Sequence, residues 1–374
     1  MLPPFLGPFN PLGYPAPYWF ILSFKVIGFT LHISLMHLWF AGLITMLLLR
    51  WRGGAHAQRL SDRVIGALPF VIAFGINLGI VPLLFTQVAY YQVFYPATIL
   101  AAWPWFAVIP LLMIAYYGLY LHVIGQRKGR MTRVKRAAGW ASAAIFMLLG
   151  LAFSNTFSLM TNVDDWGALW NATSQTGAPL GIALNLGDPT LAPRLLMMFG
   201  LALTTTAAYV AIDTGFFAGG ETPEYKRWAI RYALIFSTIG NLWVASMGSW
   251  YFFGALATGV RAAQLQMPML GLTLLTAAGT GLPWLLMLLA QRGLKTRLAL
   301  LIGLAQLGAL ALHATSRQIV QNLELAPYLQ VGAEPVNLQL SPLLLFLALF
   351  IGGVGVVVWM AVQVVRAVRQ PAAS

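Results

Sequence analysis

The sequence contains no cysteine. This absence excludes disulfide bonds, iron–sulfur clusters, thiolate metal sites and the C-x-x-C-H attachment of c-type haem. A haem in such a chain is held without covalent bonds, through histidine or methionine side chains. The sequence also lacks a Walker loop, an H-E-x-x-H zinc helix and a G-x-S-x-G elbow. Motifs therefore give no support to a nucleotide-driven motor or a hydrolase.

Charged residues are scarce in this sequence, and acidic residues are fewer than basic ones. Only 8% of the residues are charged and 59% are hydrophobic, whereas an ordinary soluble chain is roughly 25% charged. This composition is typical of an integral membrane protein. The formal net charge of +13 comes mainly from loops between apolar runs. We therefore predict contact with anionic lipid and no nucleic-acid partner.

Nine apolar runs are long enough to cross a bilayer, because about 20 helical residues rising 1.5 Å each span about 30 Å of hydrocarbon. The sequence therefore predicts an all-α fold, a polytopic membrane bundle of about nine transmembrane helices. The predicted spans are residues 18–49, 64–90, 103–126, 137–160, 193–215, 228–256, 267–290, 297–317 and 341–365.

Most of the 22 basic residues lie in alternate loops or in the tail. The positive-inside rule assigns these loops to the cytoplasm, which predicts an external N-terminus and a cytoplasmic C-terminus in the inner (cytoplasmic) membrane. The basic residues of these loops and the tail are Arg50, Arg52, Arg59, Arg63, Arg127, Lys128, Arg130, Arg133, Lys135, Arg136, Lys226, Arg227, Arg231, Arg292, Lys295, Arg297, Arg366 and Arg369.

The remaining segments fit a single integral membrane domain covering residues 1–374. Residues 1–16 are rich in proline and glycine and carry no charged side chain, so we interpret them as an external lead-in. Residues 161–192 and 318–340 are predicted outer loops, each long enough for a short interfacial helix.

Residues 24–50 form a long apolar run that carries two histidines. His32 and His37 lie far from either end of this run, and polar side chains at that depth are costly unless they have a partner or a function. Five helical residues separate the two rings by about 140° and about 7.5 Å. The rings therefore face different sides, and they do not clamp one iron between them.

Three further histidines are His56 in a basic loop, His122 near the inner end of the third span and His313 near the outer end of the eighth. A single buried histidine is as often a ring bonded to a neighbouring helix as a ligand, but four in a chain so poor in charge favour a role for some of them. Arg317 follows His313, and an arginine at that depth is either an interface anchor or a partner for a haem propionate.

The order of these features resembles subunit I of the cytochrome bd-type quinol oxidases. The run LHISLMHLWFAGLITMLLL resembles that family's first helix, whose histidine binds haem, and His32 is the best-placed match. FGINLGIVPLLFTQVAYYQVFYPATIL resembles its second span and the aromatic stretch that follows. Ser154-Asn155 with Phe157 and Met160 is similar to its Ala-Asn-Gly-Trp-Met, and Ser316-Arg317-Gln318 to its Gly-Arg-Gln-Pro-Trp.

Departures from the family are equally specific. The third span, AAWPWFAVIPLLMIAYYGLYLH, has no acidic residue where the family carries glutamates. The family's fifth-span histidine ligand is matched at best by Met197, and its seventh-span methionine by Met269. The long quinol-binding loop after the sixth span is missing. Oxygen reduction is therefore not part of the function that we expect.

The resemblance implies a haem-b-binding subunit of a respiratory electron-transfer complex, working between the quinol pool and a partner cytochrome. We expect one or two b haems, with iron ligands from His32 and His313 first and then His37 and His122. Expected partners are quinone or quinol, other respiratory membrane subunits and a c-type cytochrome on the outer face; self-association into a homo-oligomer stays open. The alternatives are a haem-free structural subunit of a respiratory complex and a secondary transporter.

Overall fold

The computed structural model describes residues 6–369, so the first five residues of the predicted lead-in lie outside the described part. The fold is an all-α polytopic membrane bundle. Its α-helices are α1 (Tyr18–His37), α2 (Leu43–Arg52), α3 (Ala55–Ala89), α4 (Tyr91–Leu100), α5 (Ala102–Phe106), α6 (Val108–Arg127), α7 (Arg133–Thr161), α8 (Trp166–Ala172), α9 (Leu191–Ile212), α10 (Pro223–Ser249), α11 (Thr258–Gln264), α12 (Met269–Gly279), α13 (Gly281–Ala290), α14 (Thr296–Leu325) and α15 (Leu340–Arg369).

Short irregular segments complete the architecture. Three π-helical segments, Leu38–Gly42, Asp213–Phe217 and Trp250–Ala255, continue α1, α9 and α10. Because the first of these joins α1 to α2, residues 18–52 form one continuous spanning rod. Within residues 6–369, the strands are a two-residue hairpin, β1 (Ser174–Gln175) paired antiparallel with β2 (Ala178–Pro179).

Eight helical stretches in the described residues are long and apolar enough to cross a membrane, and they coincide with eight of the nine predicted spans. The other predicted span, 228–256, is also helical, as α10 and its π-helical extension. It is less apolar than the others, with Lys226, Arg227 and Arg231 in its first turns and Asn241 further along. It nevertheless packs along α9 over most of its length.

Two predicted boundaries were wrong. α3 begins at Ala55 rather than at residue 64, so Arg59 and Arg63 are helical rather than loop residues. α14 continues to Leu325 rather than ending at residue 317. The second outer loop therefore shrinks to residues 326–339, and part of the predicted loop becomes a helical wall.

The first outer loop contains the predicted short helix, as α8, together with the β1–β2 hairpin, which the sequence did not suggest. Asn155 of α7 anchors this loop. Its Oδ1 accepts from the backbone N–H of Asn185 at 2.7 Å, and the Asn185 side-chain amide donates to Ser158 Oγ at 2.7 Å. Asn155 and Ser158 therefore hold the loop against the end of α7.

The core lies around α9, whose spanning window is 61% buried, whereas that of α15 is 0% buried. Small residues let α10 approach α9 closely. A Cβ added to Gly240 would lie 3.0 Å from the carbonyl oxygen of Gly200, which is the close backbone approach typical of helix pairs in membranes. α1 packs against α3, α9 and α14, so the histidines of the first span face the centre of the bundle.

Candidate functional site

His37 lies deep in the core, with 1% of its surface exposed. Its Nδ1 lies 2.9 Å from Thr205 Oγ1 of α9. The Thr205 hydroxyl donates its own proton to the Leu201 carbonyl at 2.8 Å, so it accepts from His37 Nδ1–H. The proton is thereby fixed on Nδ1, and Nε2 carries the lone pair. This buried Nε2 has no hydrogen-bond partner in the protein.

Gln306 of α14 extends this arrangement into a polar layer. Its side-chain amide donates to Thr204 Oγ1 at 3.0 Å and to Thr205 Oγ1 at 3.1 Å. Its Oε1 is buried without a partner. Three helices, α1, α9 and α14, thus contribute polar atoms to one buried level, and an unpaired buried acceptor costs about 1–3 kcal/mol.

His32 contacts a different helix from His37, as their five-residue separation requires. Its Nδ1 donates to the Gly75 carbonyl of α3 at 2.7 Å. The ring fills the space beside Gly79, where an added Cβ would lie 2.7 Å from Nδ1. Because a carbonyl only accepts, the proton again lies on Nδ1 and the lone pair on Nε2.

His313 completes what we call the histidine group (His32, His37 and His313). Its Nε2 is buried without a partner. His37 lies within electrostatic reach of both His32 and His313. The group therefore offers imidazole nitrogens from α1 and α14 around one region of the core.

The donor chemistry of this group fits haem iron better than a free metal ion. Within the described residues, no three histidine or carboxylate side chains gather closely enough to hold a metal ion. Haem iron needs only one or two axial ligands, and a ligating imidazole commonly donates its other N–H to a nearby oxygen, as His37 and His32 do. A π-helical segment begins directly after His37, and such segments frequently occur at functional sites.

Shape is less favourable to a haem than the donor chemistry. Trp39 fills the α3 surface at Gly75, where an added Cβ would lie 2.1 Å from the indole ring. Gly28, one helical turn before His32, packs closely on Val81 and Pro82 of α3. Two cavities lie near the basic loops, one beside Gln291 and the other between α2, α6 and the start of α7. Neither is lined by the histidine group.

A second cluster lies nearer the end of the bundle opposite the basic loops, around Lys25 of α1. The Lys25 side chain is buried, with 5% of the residue exposed. It donates to Gln318 Oε1 at 2.6 Å and to Gln321 Oε1 at 3.0 Å, and it lies 4.3 Å from the centre of the Tyr90 ring. Neutral oxygens and a π face are thus its contacts.

Hydroxyls and amides surround this lysine in a closed network. The Tyr90 hydroxyl donates to Asn322 Oδ1 at 2.5 Å and accepts from the Gln318 amide at 2.6 Å. The Asn322 amide donates to the Tyr18 hydroxyl at 3.0 Å. These bonds tie the start of α1 and the end of α3 to the extension of α14 that the sequence did not predict.

Arg317 lies one helical turn beyond His313. Its guanidinium carbon is 4.6 Å from the ring centre of Phe29 and 5.2 Å from that of Phe157. Glu324 and Arg194 lie within electrostatic reach of it, but no salt bridge joins Arg317 to a carboxylate in residues 6–369. The cation is therefore held between two aromatic faces.

Three other predicted ligands lie elsewhere. His122 is at the basic end of α6, where its Nδ1 donates to the Lys135 carbonyl at 3.1 Å. Met197 of α9 packs against Gly248 of α10, and Met269 is the first residue of α12. The structure thus brings together His32, His37, His313 and Arg317 from the predicted set.

Sequence reasoning missed the residues that orient the histidines. Thr205 and Gln306 read as ordinary polar positions in apolar spans. A usable signal was present in the run of three threonines, residues 204–206, because such a run inside a membrane span favours a helix–helix interface with hydrogen bonds.

The basic end of the bundle holds an ion-pair cluster of a different kind. Arg63 contacts Asp213 with two bonds of 2.7 and 2.9 Å and Glu221 at 3.1 Å. Arg59 also reaches Glu221, at 2.6 Å. The hydrogen bond from Arg59 lowers the pKa of Glu221 below its usual value. Asp213 thereby joins the end of α9 to α3.

The four stretches that carried the family resemblance meet in space. His32 of the first stretch lies on Gly75 and Gly79 of the second. Arg317 of the last contacts Phe157 of the third. Residues far apart in the sequence therefore form one continuous region between α1, α3, α7 and α14.

Comparisons with known proteins add a likeness of fold. The chain is similar to the bd oxidase structure from Geobacillus thermodenitrificans, with a TM-score of 0.57 at 14% sequence identity, over 96% of this chain and 100% of that one. No family model matches the sequence, and no curated protein matches it. The bundle therefore has the fold of a bd oxidase chain, at an identity that speaks to architecture alone.

Proposed function

We propose that this protein is a haem-b-binding subunit of a respiratory electron-transfer complex in the cytoplasmic membrane. The observation that carries the proposal is the pair of buried imidazole nitrogens, Nε2 of His37 and of His313, that have no partner in the protein. The likeness of fold to a bd oxidase supports the setting. An unpaired nitrogen in the core lowers stability, and coordination to iron is a use that would offset this cost.

The residues of the chain have distinct roles in this proposal. His37 and His313 are the first candidates to hold iron, and Thr205 keeps the His37 lone pair on Nε2. His32, fixed by Gly75, is the candidate ligand for a second haem. Lys25 and Arg317 lack carboxylate contacts among the described residues, so both are available to the acidic propionates of a haem. A bound haem supplies one-electron exchange.

The partners follow from the position of these groups. Lys25 and Arg317 lie toward the end of the bundle that the positive-inside rule places outside, where a c-type cytochrome would exchange electrons. Glu324, within electrostatic reach of Arg194 and Arg317, is the acceptor that we propose for a quinol proton. Other respiratory subunits are the proposed partners of the exposed face of α15.

A second function, that of a haem-free structural subunit, has one observation in its favour. The helix surface beside His32 is filled by the ring itself and by Trp39, which leave no space at Gly75 or Gly79 for a Cβ. Such close packing is expected of a core that has kept its fold and lost its cofactor.

Absorption spectroscopy of the purified protein separates these two functions. The protein, expressed with an ample haem supply, is expected to give a b-type signal in a dithionite-reduced minus oxidised spectrum, with haem confirmed as the pyridine haemochromogen. H37A and H313A should each lose most of the signal of the haem they ligate. The matched control is H56A, because His56 is exposed and lies outside the histidine group, with its ring against Tyr225 and Trp228.

The result that overturns the proposal is a monodisperse, helical and colourless protein. A haem signal of equal size in wild type, H37A, H313A and H32A would also overturn it, because the iron would then be held elsewhere.

A further inference from the structure

A cavity of about 480 Å³ opens at the basic end of the bundle, away from the histidine group. It lies between α2, α6 and the start of α7. Its lining combines cationic, aromatic and apolar side chains: Leu47, Arg50, Trp51, His122, Met131, Arg136 and Trp140. The mixture indicates a ligand with an anionic part and an apolar part.

The two arginines leave positive charge uncompensated in this cavity. Arg50 forms an ion pair with Asp62, but Arg136 has no salt bridge in residues 6–369. Arg136 is close enough for its charge to act on Arg50. Only Arg50 of these two neighbouring guanidinium groups thus has a salt bridge in residues 6–369, and an anion in the cavity would relieve their repulsion.

His122 places an acceptor in the wall of the same cavity. Its exposed fraction is 1%, and Nδ1 donates to the Lys135 carbonyl at 3.1 Å. The lone pair then lies on Nε2, which is buried without a partner. This nitrogen lies behind the cavity surface, so a hydroxyl on a bound ligand would satisfy it by entering the wall beside the ring.

Apolar surface decides between a lipid and a soluble anion. Trp51 is 70% exposed beside the cavity, and Trp140, Leu47 and Met131 supply further apolar lining. Tryptophan at the end of a membrane span lies at head-group depth, and basic pockets between transmembrane helices on the cytoplasmic side bind phospholipid head groups. Inorganic phosphate has no apolar part that would contact such a lining.

We propose that this cavity is a binding site for an anionic phospholipid whose head group carries both a phosphodiester and a hydroxyl, as in phosphatidylglycerol. Arg50 and Arg136 bind the phosphodiester, His122 Nε2 accepts from the hydroxyl, and the acyl chains lie along Leu47 and the tryptophans. The site is independent of any haem.

Native mass spectrometry of the full protein with defined lipids tests the site. The wild type is expected to retain phosphatidylglycerol in preference to phosphatidylcholine. R136Q should weaken this retention about fivefold, the effect of one cation at a membrane surface. R133Q is the matched control, because it removes the same charge from an exposed position one turn earlier on α7, outside the cavity lining, and it should retain the lipid as the wild type does.

The hydroxyl contact is tested by changing the lipid. Phosphatidylmethanol carries the same charge as phosphatidylglycerol without the hydroxyls, and it should bind about threefold more weakly, as expected for one neutral hydrogen bond. Equal losses in R136Q and R133Q would reduce the effect to general surface charge and overturn the proposal. Displacement of the lipid by millimolar inorganic phosphate would overturn the lipid as occupant.

Discussion

The two ends of the bundle treat buried positive charge in different ways. At the basic end, the Arg63 guanidinium contacts both oxygens of Asp213 and one of Glu221. Toward the opposite end, the Lys25 ammonium, 5% exposed, contacts two amide oxygens and a tyrosine ring. One cation is neutralised by its neighbours, whereas the other is only solvated by them.

This difference separates a structural role from a functional one. A paired and bidentate cation needs nothing more, and its loss mainly affects folding. A buried cation without a carboxylate costs several kcal/mol, since neutral oxygens do not compensate its charge. Among the described residues, neither Lys25 nor Arg317 forms a salt bridge with a carboxylate. Both lie toward the end of the bundle opposite the basic loops, and Arg317 is one helical turn beyond His313. The uncompensated positive charge at this end would therefore favour an acidic ligand.

The largest effect is expected at the basic end. Asp213→Asn keeps the size of the side chain but removes the charge that Arg63 requires. We expect the free energy of unfolding to fall by about 2–4 kcal/mol, because a half-buried guanidinium loses its main counterion. Unfolding in mixed micelles with a denaturing detergent measures this change.

Glu224→Gln is the control for this loss. Glu224 pairs with Arg227 at 3.2 Å on an exposed surface of α10, where water screens an ion pair and leaves it little effect on stability. If D213N and E224Q cost the same, the Arg63 cluster is an ordinary surface feature, and the contrast between the ends disappears.

A smaller effect is expected at Lys25. Lys25→Met leaves the Gln318 and Gln321 oxygens without a donor, which costs about 1–3 kcal/mol for each, and it removes a buried charge of comparable or greater cost. The two terms offset each other, so we expect the stability of the haem-free protein to change by less than about 1 kcal/mol. The same unfolding measurement applies.

Lys25→Gln serves as a partner variant, since it keeps a donor without the charge. A loss in K25M as large as that in D213N, restored in K25Q, would make Lys25 a structural hydrogen-bond donor. The comparison between the two ends would then fail.

Much of the fold was predictable because a bilayer imposes one rule on every span. Apolar length alone located the nine helical regions, and the all-α bundle is confirmed. The boundaries that failed, at Ala55 and Leu325, lie where helices continue past the hydrocarbon. Polar residues there are stabilised by partners distant in sequence, which hydropathy does not register.

The candidate site was less predictable, and for a physical reason. Histidines at mid-span are visible in a sequence because they are costly there. The partners that orient buried polar side chains are not visible in the sequence. His37 depends on Thr205, and Lys25 on Gln318 and Gln321, at separations of 168 to 296 residues. Gln318 and Gln321 moreover lie on a part of α14 that the sequence analysis assigned to an outer loop.

The finest test of the comparison uses one carboxylate in a loop at each end. The hydrogen bond from Arg59 lowers the pKa of Glu221 below 4.5, so its stabilising contribution is present above pH 4.5 and is lost as the pH falls through the folded-state pKa. Burial raises the pKa of Glu334 above 4.5, although Tyr91 donates to its Oε1 at 3.0 Å. Ionised Glu334 therefore lowers stability above its folded-state pKa, and the cost disappears as the pH falls to 4.5.

E221Q and E334Q should consequently change stability in opposite directions at pH 7. We expect E221Q to lose about 1 kcal/mol and E334Q to gain less than about 0.5 kcal/mol, since water screens a partly exposed group. Unfolding midpoints recorded from pH 7 to pH 3 measure both. For E334Q the difference from wild type should vanish by pH 4.5, whereas for E221Q it should persist to lower pH. Differences of the same sign would mean that carboxylates at the two ends experience the same field, which would remove the electrostatic asymmetry on which the propionate assignment of Lys25 and Arg317 depends.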